Sequence, residues 1–170
     1  RHHQKWIDLS PRELELARMG FYAQCTYIDH QMRLVIGTLR EEGLLGNTIL
    51  MVTGDHGDML GNHNLLCKPP LLEDSAKVPL ILVPHDEACE RVGFNRVDHR
   101  LAELRDVMPT LLDLCGLPVP GTVEGLSLVG ERRRTHLYAE HHEKEAALRM
   151  VRDERYKLLW YPVGNRFQLF

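Results

Sequence analysis

The sequence predicts an α/β protein, a mixed sheet flanked by helices with a small antiparallel sheet toward its C-terminus. Three observations carry that expectation. Apolar residues recur at helical spacing between Leu14 and Leu39. Two runs, Ile49–Val52 and Leu80–Val83, are short and uniformly apolar, the pattern of strands buried on both faces of a parallel-type sheet. Three later segments, 136–140, 147–152 and 156–161, have strand length and follow one another closely.

Each element has a local cause. Ser10-Pro11-Arg12-Glu13 is a capping box with proline at the first helical position. Leu14, Ala17, Phe21, Ile28, Met32, Val35 and Leu39 then form one stripe, and the helix stops near Gly43. Such a helix is expected to cover a sheet face. The two apolar strands come next, and the connection between them is long enough to be functional. Asp86–Asn95 reads as a polar loop. Val97–Leu104 reads as a strand leading to Asp106, which can cap a helix Val107–Leu114 ended by Gly116. Residues 118–134 are rich in Pro, Gly and charge and read as a linker. Their run Arg132-Arg133-Arg134 reads as a solvated turn before an anion grip. The closing strands follow, with Asp153-Glu154 as the tight turn between the last two. The expected division is residues 1–117 for the α/β domain and 118–170 for the linker and strand subdomain.

Composition narrows the function. At 170 residues the chain can build one core. Twenty-one basic residues against 24 acidic ones leave a net charge of -3, so no basic footprint for nucleic acid exists. No apolar run approaches the ~20 residues that span a bilayer. Cys25, Cys67, Cys89 and Cys115 form no C-x-x-C pair. They read as reduced, mostly buried thiols, which favours a cytoplasmic setting.

The specific chemistry lies in Thr53-Gly54-Asp55-His56-Gly57-Asp58-Met59-Leu60-Gly61-Asn62-His63, with Lys68 after it. A carboxylate and an imidazole sit side by side where an apolar strand ends, the usual place for ligands in an α/β sheet. Neighbouring strand residues point to opposite faces, so the pair can share a metal only if the backbone turns. Gly54 and Gly57 are expected to supply that turn through backbone angles closed to other residues. The pair suits Ca²⁺, Mn²⁺, Mg²⁺ or Zn²⁺, with further ligands from elsewhere. Lys68, stiffened by Pro69 and Pro70, suits an anionic oxygen. His63 is expected to brace the loop or stand behind a ligand. His2-His3 lies at a terminus and is assigned no role.

These residues resemble the sulfatase family of the alkaline phosphatase superfamily. The family pattern is a strand, then T-S-D-H-G-D-x-L-G-x-H-G-L, a lysine, then Y-E-x-x-x-R-V-P-L-I. Thr53 to Lys68 and Leu72-Glu73-Asp74-Ser75-Ala76-Lys77-Val78-Pro79-Leu80-Ile81 follow it. Tyr22 to Leu39 with Asp29, Asn47-Thr48-Ile49-Leu50, Leu104 to Gly116, Gly125-Leu126-Ser127-Leu128, Arg149 to Trp160 and Gln168-Leu169-Phe170 extend the likeness in order. The resemblance implies an alkaline-phosphatase-like sandwich. It also implies that Asp55 and His56 ligate a divalent metal, Ca²⁺ first and Mn²⁺ next, and that Lys68 binds sulfate or phosphate oxygens. Gly54, Asn64, Leu72 and Lys77 depart from the pattern, and Lys77 keeps charge without a guanidinium fork. A loop from the matching C-terminal region of the family can approach the active site, so His141 or His142 can touch substrate.

The family's nucleophile is a cysteine or serine in C/S-x-P-x-R, oxidised to formylglycine and preceded by two metal-binding aspartates. None of Cys25, Cys67, Cys89, Cys115, Ser10, Ser75 or Ser127 stands in that motif. The resemblance therefore implies the C-terminal portion of a larger hydrolase of small-molecule or carbohydrate sulfate esters, inactive without the half that carries the nucleophile. Two alternatives stay open: a phosphonate monoester or phosphodiester hydrolase of the same superfamily, and a non-catalytic anion-binding remnant.

Overall fold

The computed structural model describes residues 9–68, 71–142, 144 and 147–170. His2, His3, Pro69 and Pro70 lie outside the described residues. The chain divides into two compact units, Arg1–Asp86 and Glu87–Phe170, where the sequence places its boundary after residue 117.

The first unit opens with helix α1, Pro11–Glu41. The expected capping box is present. Ser10 Oγ accepts the Glu13 N–H at 3.3 Å, and Glu13 Oε2 accepts the Ser10 N–H at 2.8 Å. The helix ends where the Leu44 N–H reaches back to the Leu39 carbonyl at 2.8 Å. Leu14, Phe21, Met32 and Leu39 of the predicted stripe are half-buried, whereas Ala17, Ile28 and Val35 are exposed. The N-terminal half of α1 packs on a loop: Leu14 closes over Gly61, whose φ is +88° and whose added Cβ would come within 2.3 Å of Leu14 Cδ1.

Strands β1 (Leu50–Thr53) and β2 (Leu80–Val83) lie within one residue of their predicted spans and pair with each other, but not in the expected parallel sense. They are antiparallel, with Leu50 opposite Val83 and Thr53 opposite Leu80. β2 alternates half-buried Leu80 and Leu82 with exposed Ile81 and Val83. Apolar runs report how much surface a strand offers, not its direction. Here the connection through helix α2 (Glu73–Ala76) reverses the chain.

In the second unit, the expected polar loop holds a 3₁₀ turn, Asp86–Ala88, and a short helix α3, Cys89–Val92, with Ala88 and Val92 buried. The strand expected at 97–104 does not form. Asp98 turns instead to its own neighbour, accepting the Arg100 N–H at 3.0 Å and its Nε–H at 2.8 Å; such local bonds compete with a ladder. Helix α4, Val107–Leu114, matches its predicted span. Asp106 does not cap it. Its carboxylate reaches back to the Glu103 N–H at 2.9 Å and across to the Leu126 N–H at 2.7 Å. Arg134, expected in a solvated turn, is mostly buried and forks onto the fully buried Asp106 at 3.0–3.1 Å. Arg134 and Arg105 also stand 2.7 and 2.9 Å from Glu103 Oε1, near enough for charge but out of line for a hydrogen bond. The segment read as a linker is thus fastened to α4, and the Leu128 N–H adds a bond to Thr110 Oγ1 at 2.9 Å.

Strands β3 (Leu137–His141), β4 (Leu148–Arg152), β5 (Lys157–Tyr161) and β6 (Arg166–Leu169) form an antiparallel sheet in chain order. One face supplies the core through Leu148, Met150 and Leu159. The turn between β4 and β5 runs from Asp153 to Tyr156, two residues longer on its C-terminal side than the expected pair, with Asp153 Oδ1 accepting the Arg155 and Tyr156 N–H groups at 2.7 and 2.5 Å. The cysteines are not core thiols: Cys25, Cys67 and Cys115 are exposed, and Cys89 is half-buried.

Candidate functional site

β1 delivers Gly54, Asp55 and His56 at its C-terminal end. The Asp55 carboxylate folds onto its own neighbour, Oδ1 accepting the His56 N–H at 3.0 Å. His56 Nδ1 lies 2.8 Å from the Gly57 carbonyl. A carbonyl oxygen can only accept, so Nδ1 carries a proton, and in the neutral ring Nε2 is the nitrogen with the lone pair. That lone pair stands 3.4 Å from Asp55 Oδ2.

The spacing fits a shared divalent ion. Protein ligands sit about 2.0–2.6 Å from such ions, and two of them at roughly a right angle lie about 3–3.5 Å apart. The Asp55 side chain is 84% exposed and that of His56 38%, so both donors are open to an ion. Protonated His56 would form only a solvated ion pair with Asp55, an interaction of about 1 kcal/mol at most. Among the described residues no three His, Cys, Asp or Glu side chains cluster as a complete metal site. Asp55 and His56 supply two donors, fewer than a complete metal site needs.

The turn after the pair is made by close approach. Neither Gly54 nor Gly57 has a positive φ, contrary to the expectation from sequence. Gly57 is needed for space: a Cβ there would lie 2.0 Å from the Asp74 backbone oxygen. That contact lets the Gly57 N–H reach the Ser75 carbonyl at 2.8 Å. At Gly54 an added Cβ meets nothing nearer than 3.5 Å, so the family's usual serine would fit.

Beyond Gly57 the chain loops from Met59 to Cys67. The Met59 N–H bonds the Cys67 carbonyl and the Gly61 N–H bonds the Leu65 carbonyl, both at 2.8 Å. Met59 is fully buried beneath it. Lys68 is exposed and follows Cys67 directly, one residue past the bond that ties Cys67 to Met59. Leu60, His63, Asn64 and Cys67 hold φ values of 46°, 53°, 57° and 64°. Each left-handed non-glycine residue costs on the order of 1–3 kcal/mol and persists only where its surroundings impose it.

His63 is an exposed member of the 3₁₀ turn Asn62–Asn64. The brace is its neighbour. Arg18 on α1 donates Nε–H to the Leu60 carbonyl at 2.8 Å and Nη2–H to Asn62 Oδ1 at 3.3 Å, and Asn62 donates to Asp74 Oδ2 at 2.9 Å. Arg18, Asn62 and Asp74, together with Tyr22, Asp58 and Lys77, line a cleft of about 730 Å³. Sequence reasoning passed over Arg18. The available signal was a charge at the helical spacing of Leu14 and Phe21, on the face the helix buries. His141 and His142, with ring centroids 3.9 Å apart, lie in the second unit at the end of β3.

Comparisons with known proteins bear on this geometry. The Sulfatase family profile matches residues 17–117. An arylsulfatase of Clostridium perfringens is 36% identical over 169 residues, 95% of this chain and 35% of that protein. Arylsulfatase K of Canis lupus familiaris is 34% identical over 69% of this chain and 21% of its own length. Among solved structures, a phosphonate monoester hydrolase of Silicibacter pomeroyi superposes with a TM-score of 0.82 at 25% identity, over 96% of this chain and 36% of that one. The chain spans about a third or less of the length of the curated relatives it matches.

Proposed function

The chain belongs to the sulfatase family, and from that premise we propose that it supplies the metal-and-anion side of an active site that hydrolyses sulfate esters. The observation that carries this reading is the paired donor set: Asp55 Oδ2 and His56 Nε2, 3.4 Å apart and open to an ion, with Nδ1 turned to the Gly57 carbonyl. Asp55 and His56 would hold a divalent cation, Ca²⁺ by family resemblance, with Mn²⁺ suited to the imidazole. When bound, the ion supplies positive charge and Lewis acidity at the ester oxygens.

The chain's own residues do the rest of the positioning. The Gly57 carbonyl fixes the His56 tautomer, and the His56 N–H orients the Asp55 carboxylate. Lys68 brings a second positive charge to the anion and stabilises the charge that develops on its oxygens. The family's nucleophile stands in C/S-x-P-x-R, and formylglycine is the group the family implies; no cysteine or serine of residues 1–170 stands in that motif. The substrate would be a small-molecule or carbohydrate sulfate ester. A second reading keeps the site and changes the ester. The phosphonate monoester hydrolase likeness over 96% of the chain favours it, because sulfate and phosphonate monoesters share tetrahedral anionic geometry.

The test is a side-by-side assay of an aryl sulfate and an aryl phosphonate monoester, using the protein expressed from its complete reading frame. Cleavage of the sulfate, with metal affinity lost by more than about 100-fold in Asp55→Asn or His56→Gln, is the expected result. Lys68→Ala should lower kcat by about 10²–10³ with metal affinity kept. Preference for the phosphonate establishes the second reading. Cleavage of neither ester, with metal affinity unchanged in Asp55→Asn, overturns both.

A further inference from the structure

Arg18 sits on the half-buried stripe of α1, where a charge is costly unless it is partnered. Its partners all belong to the loop that separates the Asp55–His56 pair from Lys68, or to the element that anchors it. Nε–H reaches the Leu60 carbonyl at 2.8 Å and Nη2–H reaches Asn62 Oδ1 at 3.3 Å. Asn62 passes the tie to Asp74, whose neighbour Ser75 holds the Gly57 N–H. One guanidinium thus links α1, the loop and α2. The loop it grips is strained at Leu60, His63, Asn64 and Cys67, and Lys68 follows the last of these directly. A strained loop keeps its shape only while its clamps hold.

We propose that Arg18 is a positioning residue for the anion site: its two-pronged grip holds the loop Met59–Cys67 in the closed form from which Lys68 emerges directly after Cys67. The proposal rests on the role assigned to Lys68 above. Arg18 sends both prongs to the loop, to the Leu60 carbonyl and to Asn62. Lysine cannot replace it, because a point charge does not donate along two fixed directions.

Two measurements on the full chain test this. The first is amide hydrogen exchange at Met59 and Gly61. In Arg18→Gln and Arg18→Lys both amides should exchange about tenfold faster or more, the loss of a charge-assisted bond, while α1 keeps its protection. The second is the affinity for inorganic sulfate in the wild-type and Lys68→Ala backgrounds. Arg18→Gln should weaken it about tenfold in the first and less than about twofold in the second, since coupled residues are not additive. Asn62→Ala, which cuts only the Nη2 and Asp74 ties, should give a smaller change in the same direction and serves if Arg18→Gln does not fold. Unchanged exchange at Met59 and Gly61 overturns the proposal. So does equal weakening in both backgrounds, the mark of a merely structural arginine, and so does full rescue by lysine. If Lys68→Ala binds sulfate as tightly as wild type, the assignment of Lys68 has failed and the proposal falls with it, whatever the exchange data show.

Discussion

Replacing Gly57 with alanine should damage the site without touching any proposed ligand. The added Cβ would lie 2.0 Å from the Asp74 backbone oxygen, where real side chains stay beyond 3.0 Å. The obstacle is main chain and cannot swing aside, so Gly57 and Asp74 must part by about 1 Å or more. Overpacking of this kind costs about 1–3 kcal/mol, and stretching the 2.8 Å bond from the Gly57 N–H to the Ser75 carbonyl adds about 1 kcal/mol. The Gly57 carbonyl that holds His56 Nδ1 moves with it. A displacement of that size at a positioned group can cost about 10²-fold in function. Urea unfolding and Mn²⁺ titration calorimetry read the two effects separately. Gly57→Ala should lose about 2–4 kcal/mol of stability and most of its metal affinity. Gly54→Ser, with no atom nearer than 3.5 Å, should lose little of either. The steric reasoning is refuted if Gly57→Ala is as stable as wild type and binds Mn²⁺ as well, or if Gly54→Ser is equally damaged.

Two further outcomes follow from the second unit. Arg134→Ala strands the buried carboxylate of Asp106 and should cost about 3–5 kcal/mol in urea unfolding. Arg134→Lys should recover part of that through charge alone, and a loss under about 1 kcal/mol for the alanine would contradict the assigned geometry. The Arg100 side chain, bonded to Asp98, holds that carboxyl down at about 2. Its folded value lies below the ordinary carboxylate range, so the stability it adds is complete above about pH 4 and lost as pH falls toward 2. Thermal unfolding between pH 2 and 5 should show a shallower acid decline in Asp98→Asn than in wild type. Parallel curves would show that the pair does not form.

Much of the architecture was legible because its causes are local. A capping box, a helical stripe and a stop near Gly43 act through neighbours in sequence, and α1 spans Pro11–Glu41 accordingly. The closing strands lie where their pattern put them because a strand must show one face to a core. Strand direction was not legible, since β1 and β2 bury similar surface either way. Nor was the failure of 97–104 as a strand, because a ladder needs a partner while Asp98 needs only Arg100.

Sequence alone determined which residues could do chemistry: a carboxylate beside an imidazole at a strand end, a lysine after a glycine-marked loop, and a family pattern around them. Their types and spacing are covalent facts, and the backbone carries them to one loop. Tertiary structure decided how they are held. Gly57 serves by the nearness of Asp74, not by its own dihedral freedom. Asn62 braces the loop, and Arg18 reaches it from a helix distant in sequence. Arg134 grips a carboxylate of its own chain. These are contacts between segments far apart in the chain, and such contacts are set by packing, which no local pattern encodes.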